Sequence, residues 1–440
     1  MDRAIFAHSL AEMRGIFIGE TMTNDDFNKL LGITESYKMP DRLMEILTGD
    51  NVARFYDAFL ELNSNLSHDV LRDYFQEEHG DRGKLKQDYT PDSVCELVKQ
   101  LAGEKGDTLD VCAGTGALTI SCDNGEEHRC EEVSERALPV LLLNMGIRGM
   151  KGTVALKDVL TGKTVREYEM VPEDRYTWPR LVAAGAQSSR RWKRIVSNPP
   201  YSLKFPEVDS MADDPRFKYG LTPSGFSDYL FVQDALSRLT EDGTLIEILP
   251  HGVLFRGKRE EAIRKRLIEE NLIDTVIGLP DNLFMNTGIP VLIMILKRNR
   301  CRSDILMVDA SKEYVKSGKV NVMTPEQISR VVCAVKLRAD VDRFSHVATI
   351  EEIRENRYNL NIPRYVDTFE PEPVPDLIDT LTEIAVIDRQ IRETEKRLIE
   401  MTSQLTGTTE LGKKLVERSN KIYQEYLDEH IENGATSGGR

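Results

Sequence analysis

The segment best suited to chemistry is Ser197-Asn198-Pro199-Pro200-Tyr201, which follows a short β-type run, Arg194–Ser197. Two consecutive prolines cannot continue a hydrogen-bonded ladder, so they end the strand and stiffen the loop. The loop then gathers an amide side chain, a backbone carbonyl and an aromatic face around one point. That set suits a planar exocyclic amino group. Asn198 and the Pro199 carbonyl can accept its two hydrogens while Tyr201 stacks on its ring. Such an amine is a poor nucleophile because its lone pair is delocalised. Acceptors that draw it toward a tetrahedral shape make attack easier, and they act chiefly in the transition state. For this motif alone, a turn that merely ends a strand is the plain alternative.

Upstream, Leu109-Asp110-Val111-Cys112-Ala113-Gly114-Thr115-Gly116 reads as a strand running into a glycine turn. Gly114 and Gly116 let the backbone turn tightly and approach a ligand closely. An acid at the end of the next strand is expected to hold a ribose, and Glu132 takes that place in His128–Val133. The full GxGxxG pattern is missing, which disfavours a nicotinamide nucleotide. Glycine turns after strands are common, so this one gains meaning from its place upstream of Asn198.

Other chemistries fit less well. Gly252-Val253-Leu254-Phe255-Arg256-Gly257-Lys258 has P-loop spacing but puts Arg259 where a magnesium-binding hydroxyl belongs. The six cysteines stand singly, without CxxC pairs or histidines at metal spacing. Neither disulfides nor a metal site is expected, and a reducing cytoplasm is. Cys112 reads as a packing residue and His251 as a rim residue. The run Arg190-Arg191-Trp192-Lys193-Arg194 reads either as a phosphate contact beside the catalytic loop or as a solvated loop.

These motifs need a scaffold. The chain has 440 residues, 40% hydrophobic and 30% charged, a globular composition with room for two or three units. Its longest apolar runs fall short of the ~20 residues a membrane helix needs, and its N-terminus does not read as a signal peptide. Residues 1–80 read as helical, over Asp41–Leu47, Val52–Leu62 and Leu66–Gln76. Strands then follow at Thr108–Cys112, His128–Val133, Thr153–Lys157, Arg194–Ser197, Thr244–Leu249, Ile273–Leu279 and Val291–Leu296. Helices lie between them. Such alternation predicts an α/β fold with a mostly parallel, Rossmann-like sheet of seven strands, binding ligands at the strands' carboxyl ends. Residues 300–365 are mixed and composition says little about them.

Glu370-Pro371-Glu372-Pro373-Val374-Pro375 reads as a stiff acidic linker. After it, Leu377, Ile384, Ile391, Leu398 and Leu405 recur every seven residues, the pattern of an amphipathic helix seeking a partner or folding back on its own body. The expected division is a helical N-terminal domain (1–84), a central domain (85–369), a linker and helical arm (370–433) and a disordered tail (434–440). Residues 1–80 hold 15 acids and 7 bases, and residues 370–440 hold 15 acids and 9 bases, so both ends are acidic. A chain gripping nucleic acid unaided usually shows a large basic excess; here the excess is only local.

The glycine loop and the NPPY loop together resemble DNA amino-methyltransferases. Further segments extend the likeness: Gln87-Asp88-Tyr89-Thr90-Pro91 ahead of the sheet, Glu132 with Asn144, Lys157-Asp158-Val159-Leu160, Ser227-Asp228-Tyr229-Leu230-Phe231, Leu249–Phe255, Asn282–Pro290 and Tyr358–Val366. In order and in combination they resemble the modification subunit of type I restriction–modification systems over roughly residues 85–370. Val111 departs from the proline usual after the loop aspartate, and Thr161–Lys193 is longer than usual. The resemblance implies methyl transfer from S-adenosyl-L-methionine to N6 of an adenine flipped out of double-stranded DNA. Asn198, Pro199, Pro200 and Tyr201 would form the base pocket. Asp110, Ala113, Gly114, Thr115, Gly116 and Ala117 would carry the cofactor. Glu132 would bond its ribose, Asp158 its adenine, and Gln87, Tyr89, Thr90 and Pro91 would close over its methionine end. Neither a metal nor a covalent intermediate is needed, because the sulfonium methyl is already activated. A specificity subunit would read the DNA sequence, with helix 377–405 a plausible contact, and a restriction–translocase subunit would be a further partner. Cytosine C5 methylation is disfavoured, since none of the six cysteines follows a proline. The alternatives are an amino-methyltransferase acting on RNA or a protein glutamine, and a non-catalytic scaffold.

Overall fold

The computed structural model describes residues 22–79, 89–185, 190–284, 288–368 and 376–435. The chain divides into two compact units, Met1–Thr368 and Phe369–Arg440.

Among the described residues, the first unit opens on four α-helices, α1 (Asn24–Leu31), α2 (Met39–Leu47), α3 (Val52–Leu62) and α4 (Arg72–Glu78). Thr23 and Asp26 form a capping box on α1, and Gly32 closes it in the left-handed region. The helix expected over Leu66–Gln76 starts only at Arg72. The side chains of Asn63, Asn65 and Asp69 accept the backbone N–H groups of Asn65, Ser67 and Leu71, giving the chain a local alternative to helix.

After α5 (Asp92–Ala102) come β1 (Thr108–Val111), α6 (Ala117–Ser121), β2 (His128–Glu132), α7 (Leu138–Ile147) and β3 (Gly152–Lys157). A hairpin of β4 (Thr164–Glu173) and β5 (Tyr176–Val182) precedes β6 (Trp192–Ser197), α8 (Asp228–Ser237) and β7 (Leu239–Pro250). Then follow α9 (Arg259–Glu269), β8 (Ile273–Gly278), β9 (Val291–Lys297) and β10 (Ile305–Asp309). The unit closes with a small hairpin, β11 (Val315–Ser317) and β12 (Val320–Val322), then α10 (Pro325–Leu337), β13 (Ser345–Ala348) and α11 (Ile350–Glu355).

The central sheet has eleven strands in the order β13-β10-β8-β9-β7-β6-β1-β2-β3-β4-β5. Only β4, β9 and β13 run against the rest. The mostly parallel α/β architecture is as expected, but the sheet is wider than seven strands. The β4–β5 hairpin extends one edge, within the stretch noted as unusually long, and β10 with β13 extends the other.

Alternation along β7 divides the core. Leu245 and Leu249 pack with α8 and α9 on one face, while Ile246 and Ile248 pack with α5 and α10 on the other. Every residue of α7 is buried. One side meets the sheet, and the other is covered by α1–α4, whose Phe27, Phe55, Tyr56 and Phe59 share its core. The approach is close: a Cβ on Gly146 of α7 would stand 2.0 Å from the Tyr56 hydroxyl.

The second unit is a pair of helices, α12 (Leu377–Ser403) and α13 (Glu410–Ala435). The expected single helix 377–405 thus ends at Ser403, leaving Leu405 beyond it, and a second helix follows. The linker residues 370–375 and residues 436–440 of the tail lie outside the described residues, whereas Gly434 and Ala435 belong to α13. No described helix is long and apolar enough to cross a membrane.

Candidate active site

Strands β1 and β6 are neighbours and parallel, so the glycine turn and the NPPY loop leave the same edge of the sheet side by side. The Ser197 hydroxyl donates to the Val111 carbonyl at 2.7 Å and ties the two strand ends together. A single cavity of about 210 Å³ opens between the loops. Tyr89, Thr90, Ala113, Gly114, Thr115, Ala117, Glu132, Asp158, Asn198, Pro199, Pro200 and Tyr201 all line it.

The other expected residues lie nearby or outside. Asp110 sits below the turn, 1% exposed, and accepts the Thr119 hydroxyl at 2.5 Å. Gly116 is structural: its φ is +98° and a Cβ there would stand 2.8 Å from Leu141 Cδ1. Pro91 lines an adjoining crevice with Arg72 and Asp92. Gln87 lies outside the described residues.

The amide of Asn198 is oriented from both ends. Its Nδ2 donates to Thr90 Oγ1 at 2.9 Å, and the Tyr201 hydroxyl donates to its Oδ1 at 2.7 Å. The Tyr201 hydroxyl marks the side on which the amide oxygen meets a donor. Behind the loop, Ser202 N–H donates to Asp228 Oδ1 at 2.8 Å, and the Arg256 guanidinium holds the other oxygen of that carboxylate at 3.0 Å. Phe284 stands edge-on to Tyr201, with ring centroids 6.1 Å apart and planes at 85°.

Glu132 ends β2 and accepts the N–H groups of Gly114 (2.8 Å) and Ser134 (2.7 Å). Burial raises its carboxyl above the ordinary range, and these two donors pull it back. Its neighbour Glu131 behaves oppositely. Burial alone would raise it, but Arg238, Lys157 and Arg129 hold it well below the ordinary range. Asp158 folds its own turn, with Oδ1 accepting the Leu160 N–H at 3.0 Å. The Cys112 thiol is pushed up by burial and by Glu132, so it is not a thiolate nucleophile. Leu118, Leu160 and Phe231 give the cavity apolar walls.

The basic run overlaps the start of β6 and is divided between structure and solvent, with Arg191 and Lys193 exposed. Arg190 pairs with Asp107 and Glu127 and stacks on Trp192 at 4.0 Å, while Arg194 is buried against the Gly103 and Cys122 carbonyls. It lies at the amino end of β6, roughly 17 Å of strand away from Asn198. His251 is half-buried, and its Nε2–H donates to the Val291 carbonyl at 3.1 Å.

Phe284, the Asp228–Arg256 support and the Thr90–Asn198 bond were not legible as site features. Asp228 and Phe284 stand in segments that carry the family resemblance, but nothing in those segments says that they meet Ser202 or Tyr201.

The chain belongs to the N-6 DNA methylase family, whose model matches residues 66–373. It is 29% identical over 352 residues to the methylase subunit of the type I restriction enzyme MjaVIII of Methanocaldococcus jannaschii, covering 75% of this chain and 59% of that one. It is also 29% identical over 297 residues to the MpnII methylase subunit of Mycoplasma pneumoniae, covering 64% and 53%. The chain thus spans between half and three-fifths of the length of these two relatives. Among solved structures, it resembles the type I restriction–modification methyltransferase subunit from Streptococcus thermophilus. The TM-score is 0.61 at 29% identity, over 82% of this chain and 84% of that one.

Proposed function

We propose that the chain is the modification subunit of a type I restriction–modification system. It would methylate N6 of an adenine flipped out of duplex DNA, with S-adenosyl-L-methionine as donor. The observation that carries this reading is the Asn198 amide, fixed by Thr90 and Tyr201, in one cavity with the glycine turn and Glu132. The cavity fits the donor by its chemistry: a buried acid for a ribose diol, a close-packed glycine turn, and apolar walls for an adenine ring. Bound S-adenosyl-L-methionine supplies a methyl group already activated on a sulfonium.

The chain's own residues do the rest. Asn198 Oδ1 and the Pro199 carbonyl accept the two N6 hydrogens and draw electron density onto the nitrogen. Tyr201, backed edge-on by the buried Phe284, provides aromatic surface for the extruded base, replacing the stacking lost from the duplex. Asp228 and Arg256 keep the loop from relaxing as charge develops on the amine.

Sequence reading is assigned to a separate specificity subunit, as the lack of a large basic excess suggests. The exposed row Leu377, Ile384, Ile391 and Leu398 of α12 is the proposed contact. A restriction–translocase subunit would join the same assembly.

Asn198→Ala tests the reading. Methyl transfer falls by about 100-fold or more, the cost of removing one transition-state acceptor, while donor binding persists. A variant that methylates at the wild-type rate refutes it.

A further inference from the structure

The turn proposed to hold the cofactor is a demanding backbone. Cys112, Gly114 and Gly116 all have positive φ, at 62°, 59° and 98°. The glycines take such values freely, but Cys112 is strained there and persists only where its surroundings hold it. Two ties are local, from Ala113 N–H to the Glu131 carbonyl (3.0 Å) and from Gly114 N–H to Glu132 (2.8 Å).

A third comes from outside the sheet. Asp69 lies in the turn before α4 and is 3% exposed. Its Oδ2 accepts the Thr115 hydroxyl at 2.5 Å, and its Oδ1 accepts the Asn144 amide at 2.9 Å. The same Asn144 nitrogen donates to the Thr115 carbonyl at 2.8 Å. Thr115 is therefore gripped at both its side chain and its backbone. Arg148 closes the network, donating to Asn144 Oδ1 (3.0 Å) and to the carbonyls of His68 (2.6 Å) and Leu66 (3.1 Å).

Burial pushes the Asp69 carboxyl up, and the donors from Thr115 and Asn144 work against that. A buried carboxyl is a costly way to fill space, since an apolar side chain would pack there without desolvating a charge. Besides accepting the Leu71 N–H in its own turn, the carboxyl adds two directed acceptors on a cofactor-lining residue and its neighbour.

We infer that Asp69 is a positioning residue for the cofactor loop. It holds Thr115, and through Thr115 the Gly114–Gly116 turn, in the shape that binds. The N-terminal helical region then completes the cofactor site as well as covering α7. This rests on the cofactor reading proposed above.

The test is a double-mutant cycle on binding of S-adenosyl-homocysteine to the full chain by calorimetry, with a thermal midpoint for every variant. Asp69→Ala and Thr115→Val each weaken binding about 10-fold. The double variant loses about the same factor and not about 100-fold, because either single change already removes the Thr115–Asp69 tie. Thr115→Ser, which keeps the hydroxyl, recovers what Thr115→Val loses. Folded variants that bind like wild type, or single losses that multiply in the double variant, overturn the inference. If Asp69→Ala does not fold, Thr115→Val against Thr115→Ser decides, and equal binding by those two overturns it. Wild-type protein that fails to bind S-adenosyl-homocysteine overturns the cofactor reading itself, and this inference with it.

Discussion

Residues 1–80 and 370–440 are both acidic, with 15 acids in each against 7 and 9 bases, and both carry amphipathic helices. Their apolar faces end differently. Phe27, Phe55, Tyr56, Phe59 and Phe75 of α1–α4 are all 0% exposed, whereas Leu377, Ile384, Ile391 and Leu398 of α12 are 71%, 49%, 49% and 47% exposed. A period of three to four residues says that a helix has an apolar face, but not what covers it. The residue types do differ. The N-terminal faces are rich in aromatic side chains that fill irregular space over α7, while α12 presents a regular aliphatic row at heptad spacing, suited to another helix.

That contrast can be broken. The largest effect is expected in the N-terminal helices. Phe59→Ala should destabilise the first unit by about 3–5 kcal/mol in denaturant unfolding, the range for emptying an aromatic core site. A change under about 1 kcal/mol would mean that α3 is not part of that core. Ile391→Glu in α12 should leave stability within about 0.5 kcal/mol, as at other exposed sites, yet abolish co-purification with the proposed specificity subunit. A complex that survives the substitution would move the contact elsewhere.

A smaller effect separates buried acids from exposed ones. Burial pushes the Asp110 carboxyl up to about 7 from its ordinary 3.8. The folded state then holds a proton that the unfolded chain has lost, so stability falls as pH rises between these values and levels off above them. Asp110→Asn should make that fall shallower, by at most about 1.4 kcal/mol per pH unit, in unfolding curves taken from pH 4 to pH 8. An unchanged slope would show that Asp110 does not titrate there.

What the sequence made legible follows from the range of the interactions involved. Most of the strands legible in the sequence are short runs of β-branched and aliphatic residues in a sheet buried on both faces, where the pattern is strong; β2, His128-Arg129-Cys130-Glu131-Glu132, is the exception. The β4–β5 hairpin was not legible. It carries Glu167, Glu169 and Glu173 with Pro172 and Pro179, a composition that a sheet edge tolerates and that reads as loop. In the site, Asn198–Tyr201 and the glycine turn were legible because each is a local motif with its own backbone demands. The bonds that orient them join residues far apart in the chain: Thr90 to Asn198 across 108 positions, Asp69 to Thr115 across 46 and Asp69 to Asn144 across 75. No local pattern encodes such pairings. They exist because the fold packs the N-terminal helical region and the loops of several strands against the same edge of one sheet.

The central claim is most directly tested by incubating the chain with labelled S-adenosyl-L-methionine and unmethylated duplex DNA, with and without the proposed specificity subunit, and identifying the labelled nucleoside. The account predicts N6-methyladenine, formed with the subunit present and lost in Asn198→Ala. Label at another base position, or label in protein or RNA with none in DNA, would contradict it.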